Sequence, residues 1–291
     1  MRVLVLRALG LGDLLTAVPA LRGLRAAFPD AEITLAAPEW LRDVVDRIDA
    51  VDRLLPTEEL APIAFDRPDL AVNLHGRGPQ SVELLRATRP QRLITHEYWR
   101  EDHHEVVRWC DLLERNGIPC DPADLHLPPV GPRTNRMVVH PGASTGARRW
   151  PADRYATVVR ALGSDVVVTA GPGERELARR VSPTPFSGSL AELLDLVATA
   201  RLVICGDTGV AHVATAYGTP SVLLFGPVPP QLWGPRHGPH LVLWHGSTGD
   251  TFAAEPDPGL LRITVDEVLE AAGGVLCDPS GSVLSARVTS A

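Results

Sequence analysis

The chain has 291 residues, a formal net charge of −7, 45% hydrophobic residues and only 5% aromatic residues. This length permits two domains with buried cores, and an acidic balance without a Lys/Arg run argues against a nucleic-acid-binding protein. All 28 Lys/Arg positions are arginine, which excludes a pyridoxal Schiff base and a Gly-Lys-Ser/Thr phosphate loop, because both need a lysine amine.

The first part of the chain predicts alternating strands and helices. Arg2 to Leu6 is an apolar strand, and the helix that begins at Asp13 is kinked or restarted by Pro19. A second strand at Ile33 to Ala37 completes a βαβ unit. Further along, the pattern predicts a strand at 70–74 and helices at 83–88 and 103–116.

The Gly10-x-Gly12 pair in the first loop raises the alternative of a nicotinamide-binding Rossmann site. The third glycine of that fingerprint is replaced by Leu15, and Pro38 follows the second strand where a carboxylate is expected. Both departures argue against that site.

Residues 119–132 contain five prolines, too many for a helix or a central strand, and they predict a domain boundary at 130/131. Beyond it, the βα alternation restarts and ends in a frayed tail at Gly281 to Ala291. Its predicted strands are 137–140, 165–170, 202–205, 221–225 and a last one at 241–244, and its predicted helices are 151–162, 175–181, 189–200, 210–217 and 265–272. Two doubly wound halves predict a ligand cleft between them, lined by strand carboxyl ends and helix N-termini.

A strand that leads into a helix through Gly206-Asp207-Thr208-Gly209 predicts an anion site, since the first amides of the helix lack partners and carry its positive dipole end. Asp207 as a simple helix cap is the alternative. Asp-Thr-Gly also occurs in aspartic proteases, but those need a second triplet in a β-rich chain.

Four loops are predicted at strand carboxyl ends: Gly10 to Asp13, Gly142 to Trp150, Gly171 to Glu174, and Gly206 to His212. In the second of these, Arg148 and Arg149 can fork onto phosphate oxygens, and Ser144 and Thr145 can donate hydroxyl hydrogen bonds. Trp150 is expected to pack in the core. Together the loops predict a diphosphate site opposed by a carboxylate.

The four cysteines show no C-x-x-C motif and favour a reduced, cytosolic compartment. A zinc site from His103, His104, Cys110 and Cys120 is an alternative whose spacing fits no common zinc pattern. Asp13 interrupts the N-terminal apolar stretch, which argues against a signal peptide, and no segment reaches the length of a membrane span. The expected location is the cytoplasm.

Taken in order, the motifs resemble glycosyltransferase family 9, the ADP-heptose:lipopolysaccharide heptosyltransferases of the GT-B fold. The resemblance runs from Arg2 to about Leu243. The motifs that carry it are Gly12-Asp13, Asn73-Leu74-His75-Gly76, His140-Pro141-Gly142, Arg149-Trp150-Pro151, Gly171-Pro172-Gly173-Glu174, Gly206-Asp207-Thr208-Gly209-x-x-His212 and Phe225-Gly226-Pro227.

The resemblance implies an α/β chain of two Rossmann-like domains: an acceptor domain at 1–130 and a donor domain at 131–291, facing an interdomain cleft. It implies that Asp13 is the general base, that Glu174 holds the ribose and that Gly188 lies against the nucleobase. Arg148 stands where the family usually has a diphosphate-binding lysine, so a planar fork replaces a point charge. The full set of expected donor-binding residues is Gly12, Ser144, Thr145, Arg148, Glu174, Gly188, Asp207, Thr208, Gly209 and His212.

The resulting hypothesis is inverting transfer of a heptose from an ADP-linked donor to a hydroxyl of a carbohydrate or small natural-product acceptor. The chain has no Asp-x-Asp triplet, so we expect neither a metal nor another cofactor. The expected partners are the nucleotide sugar and the acceptor, without nucleic acid or a membrane span; peripheral membrane contact stays open. The alternatives are a GT-B epimerase or hydrolase, a non-catalytic nucleotide-sugar binder, and helix-capping roles for Asp13 and Glu174.

Overall fold

The computed structural model describes residues 1–246, 248–277 and 284–287. The chain divides into two compact units, Met1–Leu127 and Pro128–Ala291, and the division falls inside the proline-rich stretch 119–132.

The first unit is built on five parallel strands in the order β3-β2-β1-β4-β5. Its strands are β1 (Arg2–Leu6), β2 (Glu32–Ala37), β3 (Arg53–Pro56), β4 (Leu70–Asn73) and β5 (Arg92–Ile94), and its helices are α1 (Leu11–Thr16), α2 (Val18–Ala27), α3 (Arg42–Val45), α4 (Gln80–Ala87) and α5 (Glu105–Glu114). The central strand β1 is buried from Val3 to Leu6, as a parallel strand covered on both faces should be. Pro19 lies in the first turn of α2, so the predicted restart of the helix is confirmed.

The second unit contains a parallel sheet in the order β11-β10-β9-β8-β6-β7. Its strands are β6 (Met137–His140), β7 (Val166–Val168), β8 (Leu202–Gly206), β9 (Ser221–Phe225), β10 (His240–Trp244) and β11 (Leu284–Arg287), and its helices are α6 (Ala152–Leu162), α7 (Arg175–Val181), α8 (Leu190–Thr199), α9 (Gly209–Ala216), α10 (Pro230–Trp233), α11 (Pro258–Arg262) and α12 (Val265–Cys277).

The last strand of this sheet corrects the sequence prediction. β10 was expected to be the last strand and 281–291 to be frayed, but β11 pairs in parallel with β10 within that stretch. The strand is short and lies at the sheet edge, where a few backbone hydrogen bonds suffice without a long apolar pattern. The other residues of that stretch lie outside the described residues.

Trp150 belongs to the core of the second unit, as predicted. Its ring is fully buried, meets Tyr155 edge-on with centroids 4.9 Å apart, and donates its indole N–H to the Ile263 carbonyl at 3.1 Å. A buried Trp with its N–H satisfied is a packing residue.

The strand order of each sheet marks the place where a ligand is expected. In the first unit, β1 is followed on one side by β2 and on the other by β4; in the second, β6 lies between β7 and β8. In open α/β sheets, ligands bind outside the strand carboxyl ends at the place where the strand order reverses, which we call the switch point of the sheet. The loops after β1 and β4, and those after β6 and β8, are therefore the places to look.

Two cysteines differ from the expectation of reduced thiols. Cys110 and Cys120 form a disulfide with a Cα–Cα distance of 5.2 Å, because the chain turns back after α5 at Gly117, where φ is 80°. Over the described ranges, no group of three or more His, Cys, Asp or Glu residues is placed to hold a metal ion. Among the helices that the structure describes, none is both long and apolar enough to cross a membrane.

Candidate active site

Asp13 lies at the switch point of the first unit, in the first turn of α1. Its Oδ2 accepts the Gly10 N–H at 3.2 Å, and its Oδ1 lies 3.4 Å from Arg7 Nη2. The side chain keeps 31% of its surface exposed. Asp13 thus stabilises the start of the helix, at the third helical position rather than at the predicted cap, and still offers a carboxylate to a substrate.

Arg7, the residue that follows β1, contacts Asp13 at this site, and sequence reasoning missed it. Its side chain is fully buried. Nε donates to the Asp13 carbonyl at 2.9 Å, Nη2 donates to Thr16 Oγ1 and Glu105 Oε1, both at 3.2 Å, and Nη1 donates to the Leu74 carbonyl. One signal was available: a charged residue at the end of an apolar strand needs partners, because an unpaired buried charge is very costly.

Glu105, the carboxylate that accepts from Arg7, is the first residue of α5 and has two further partners of its own. Glu105 Oε1 also accepts the Trp109 indole N–H at 3.1 Å, and its Oε2 accepts Arg108 Nε at 3.1 Å. The Arg7 guanidinium lies over the Trp109 ring, 4.6 Å from its centroid. We call Arg7, Asp13, Glu105, Arg108 and Trp109 the Arg7 cluster. Its two arginines and two carboxylates balance in charge, as buried ions require.

The loop after β4 reaches the same switch point. The Asn73 amide nitrogen donates to the Gly76 carbonyl at 3.0 Å and to Ser81 Oγ at 3.1 Å, while its oxygen accepts the His75 N–H. The buried His75 Nδ1 has no hydrogen-bond partner among the described residues. Burial and the charge of Arg7 lower the pKa of His75, with Asp13 opposing them, so the imidazole is neutral at neutral pH.

In the second unit, Glu174 connects the loops after β6 and β7. Its Oε2 accepts the Gly171 N–H at 2.8 Å and lies 3.5 Å from His140 Nε2. A Cβ on Gly142 would overlap this carboxylate, so a side chain there would displace Glu174 from its present position. Burial lowers the pKa of His140 against the opposing charge of Glu174. Glu174 immediately precedes α7, but its carboxylate points to these loops.

Arg148 and Asp207 meet at the β6/β8 switch point. Arg148 Nη1 lies 3.4 Å from Asp207 Oδ2, and the Asp207 side chain is buried. Within the part of the chain that the structure describes, the buried Nε of Arg148 has no hydrogen-bond partner. Asp207 thus contacts the Arg148 guanidinium and can orient it, while the Arg148 side chain keeps 23% of its surface exposed.

Arg149 does not share this role. Its Nε and Nη2 both donate to the Ala143 carbonyl, at 3.0 and 2.9 Å. The guanidinium therefore holds its own loop together, which differs from the expectation that both neighbouring arginines bind phosphate.

The two hydroxyl residues of this loop are placed differently. Ser144 is exposed, whereas Thr145 Oγ1 donates to the Thr251 carbonyl at 2.7 Å. A hydroxyl has one hydrogen to donate, so the hydrogen of Thr145 is already used within the protein. The segment around Ala254 covers the loop so closely that a Cβ on Gly146 would overlap the Ala254 carbonyl.

The remaining predicted residues lie at the starts of helices. Thr208 occupies the N-cap position of α9 and Gly209 is the first residue of that helix. His212 lies one turn further, with its ring edge-on to Trp233 and the ring centroids 6.1 Å apart. Gly12 lies in α1 beside Asp13. Gly188 is exposed and directly precedes Ser189, which caps α8.

The two switch points differ in the chemistry that they can perform. The second unit contains an arginine, an exposed serine hydroxyl and the first amides of α9, groups that are able to bind a phosphate or diphosphate. The first unit offers a partly exposed carboxylate beside a buried arginine and a neutral histidine, an arrangement that can accept a proton.

Comparison with known proteins identifies the family to which the chain is similar. The model of glycosyltransferase family 9 (heptosyltransferase) matches residues 100–251, more than half of the 291-residue chain. Lipopolysaccharide heptosyltransferase 2 of Escherichia coli K12 is 23% identical, over 95% of this chain and 99% of its own.

Two solved structures have the same two-unit GT-B architecture. A family 9 glycosyl transferase from Veillonella parvula superimposes with a TM-score of 0.79 at 22% identity, covering 95% of this chain and 97% of that one. The E. coli ADP-heptose lps heptosyltransferase II does so with a TM-score of 0.78 at 20% identity, covering 95% and 99%. By its matching family model and its GT-B fold, the chain belongs to glycosyltransferase family 9, the heptosyltransferases.

Proposed function

We propose that this protein transfers a heptose from an ADP-linked donor to a hydroxyl of a carbohydrate or small natural-product acceptor, with inversion at the anomeric carbon and without a metal ion. The donor is suggested by the relatives, among which the E. coli protein is named an ADP-heptose heptosyltransferase.

One observation carries the proposal. Asp13 and Arg148, the expected base and the expected diphosphate ligand, each lie where the strand order of their own sheet reverses. These are the two positions at which doubly wound sheets bind substrates.

The second unit is proposed to bind the donor. Arg148, Ser144 and the amides at Thr208 and Gly209 hold the diphosphate, and Asp207 acts by orienting Arg148. The other assignments come from the sequence expectations: Glu174 holds the ribose, Gly188 lies against the base, and Gly12 and His212 contribute further donor contacts. Thr145 can only accept a hydrogen bond from the donor, because its own hydrogen is donated to the Thr251 carbonyl.

The first unit is proposed to supply the base. Asp13 accepts the proton of the acceptor hydroxyl while that oxygen forms a bond to the anomeric carbon from the face opposite the diphosphate. The bond from that carbon to the diphosphate oxygen breaks, and its electron pair leaves with ADP. Arg148 and the start of α9 stabilise the charge that develops there.

Incubation of the protein with ADP-heptose, with and without an oligosaccharide or small-molecule acceptor, tests the proposal. We expect ADP release that depends on the acceptor, and a product whose anomeric configuration, measured by NMR, is opposite to that of the donor. ADP release without acceptor would indicate a hydrolase, a changed sugar would indicate an epimerase, and binding without turnover would indicate a nucleotide-sugar binder. UDP-glucose serves as the control donor.

A further inference from the structure

Beyond the proposed base, we infer that Arg7 is a positioning residue for the transfer reaction. It holds the Asp13 carboxylate in one orientation and ties the loop after β1 to the loop after β4. This inference rests on the proposed role of Asp13 as the base, and it concerns a residue that does not itself touch the substrate.

The geometry around Asp13 supports the orienting role. Oδ2 is held by the Gly10 N–H and Oδ1 faces Arg7 Nη2, so neither oxygen is placed by the flexible side chain alone. The Arg7 contact is 3.4 Å long, whereas a short charge-assisted hydrogen bond would be 2.7–2.9 Å. Oδ1 is thus oriented by a nearby cation and keeps the capacity to accept a proton.

Glu105 explains why Arg7 does not close onto Asp13. It accepts from the same Nη2 atom at 3.2 Å, and its own position is determined by Arg108 and Trp109. The Arg7 guanidinium is therefore shared between two carboxylates. α5, whose first residue Glu105 is 98 residues after Arg7, therefore sets the position of the cation that Asp13 faces.

The same guanidinium joins the two loops of the switch point. Nε donates to the Asp13 carbonyl in the loop and helix that follow β1, and Nη1 donates to the Leu74 carbonyl directly after β4. The backbone that leads into His75 is thereby tied to the helix that carries Asp13. A lysine has a single terminal nitrogen and could not satisfy both directions together with Glu105.

The test compares Arg7→Lys and Arg7→Met with the matched control Arg22→Met. Arg22 is a partly exposed arginine of α2 in the same unit, and its guanidinium pairs with Asp124. We expect kcat to fall about tenfold in R7K and about a hundredfold in R7M, with the donor KM within about twofold of wild type, since orientation acts on the reacting geometry and not on donor binding. R22M should change kcat less than about twofold.

A double-mutant cycle separates positioning from a structural role. In an Asp13→Asn background, R7K should cause little further loss of kcat, because Arg7 acts through the carboxylate that the first substitution removes. Circular dichroism and thermal melting verify that each variant is folded at the assay temperature. If R7M does not fold, R7K and Glu105→Gln carry the test, with kcat of both expected to fall at unchanged donor KM.

Two results would overturn the inference: a folded R7K variant with wild-type kcat beside an inactive D13N variant, or losses that multiply in the R7K/D13N double variant. A D13N variant with wild-type kcat would instead refute Asp13 as the base, and so would refute the proposed mechanism. The two failures are therefore distinguishable.

Discussion

The two switch points achieve order by different means. At the first, the Asp13 side chain is held by a buried arginine and a backbone amide, and that arginine is held in turn by Glu105. At the second, Arg148 makes one ion-pair contact at 3.4 Å and keeps an unpartnered Nε among the atoms that the structure describes, while Ser144 is exposed.

This difference corresponds to what each site has to do. A base must meet its proton in one geometry, so its surroundings are arranged before the substrate arrives. A diphosphate site can use the ligand itself to complete its hydrogen bonds. The comparison therefore predicts that substitutions at the first switch point lower kcat alone, whereas substitutions at the second raise the donor KM as well as lowering kcat, because its groups hold the diphosphate both before and while it leaves.

The largest effect is expected for Asp13→Asn. Asparagine keeps an oxygen that can accept the Gly10 N–H, so the fold should persist while the base is lost. We expect kcat to fall by about 10²–10⁴-fold, the usual contribution of general-base catalysis. The measurement is acceptor-dependent ADP release, with the melting temperature as a control for folding. An active, folded D13N variant would show that the first switch point does not supply the general base.

Arg148→Ala should have the next largest effect, on the donor. Loss of a charge-assisted fork to the diphosphate should raise the donor KM by about 10–100-fold. Arg148→Lys should recover part of that loss because the charge is kept. The matched control is Arg160→Ala, an exposed arginine of the same unit that donates to Thr157 at 2.9 Å. If R148A lowers kcat at unchanged donor KM, the assignment of donor binding to the second switch point is wrong.

The elements near the sites were predictable because local patterns determine them. The apolar run and glycine at 202–206 indicated a strand and the start of a helix, and the structure places β8 at Leu202–Gly206 and α9 at Gly209–Ala216. β3 and β5 were missed: they are edge strands of four and three residues, so short that their patterns resemble loops.

The contacts of the sites were not predictable from local sequence. Arg7 meets Glu105 across 98 residues, and no local pattern links the two. Likewise, the roles of the neighbours Arg148 and Arg149 are opposite because one faces Asp207 and the other faces the Ala143 carbonyl. Sequence showed which residues are charged at strand ends, and only tertiary packing decided which of them a ligand can use.

A smaller effect is expected on stability at acid pH. Burial lowers the pKa of His96, which packs against Trp99 and Trp109, from 6.5 to about 4. The unfolded chain therefore binds more protons than the folded one between these values, and stability falls as the pH drops from about 6.5 towards 4. His96→Phe should reduce the loss of unfolding free energy between pH 7 and pH 5, measured by urea unfolding, by about 1 kcal/mol. The effect is no larger because the partial exposure of His96 screens its charge.

The matched control for this effect is His126→Gln, a change at an exposed histidine of the same unit. This variant should lose as much free energy of unfolding between pH 7 and pH 5 as the wild type does. An H96F variant that loses as much stability as the wild type would show that the acid sensitivity lies elsewhere, with His140 in the second unit as the next group to test.

The smallest effect, no change at all, is expected when metal ions are removed. If Arg148 and the amides of α9 neutralise the diphosphate, EDTA should leave acceptor-dependent ADP release unaltered. A metal would need carboxylates at the same place, and Asp207 is already paired with Arg148. Activity that is lost in EDTA and restored by Mg²⁺ would mean that the second switch point needs a divalent ion as well as its arginine. R148A sharpens this test: if added Mg²⁺ rescues R148A but does not stimulate the wild type, the guanidinium performs the charge neutralisation that a metal performs elsewhere.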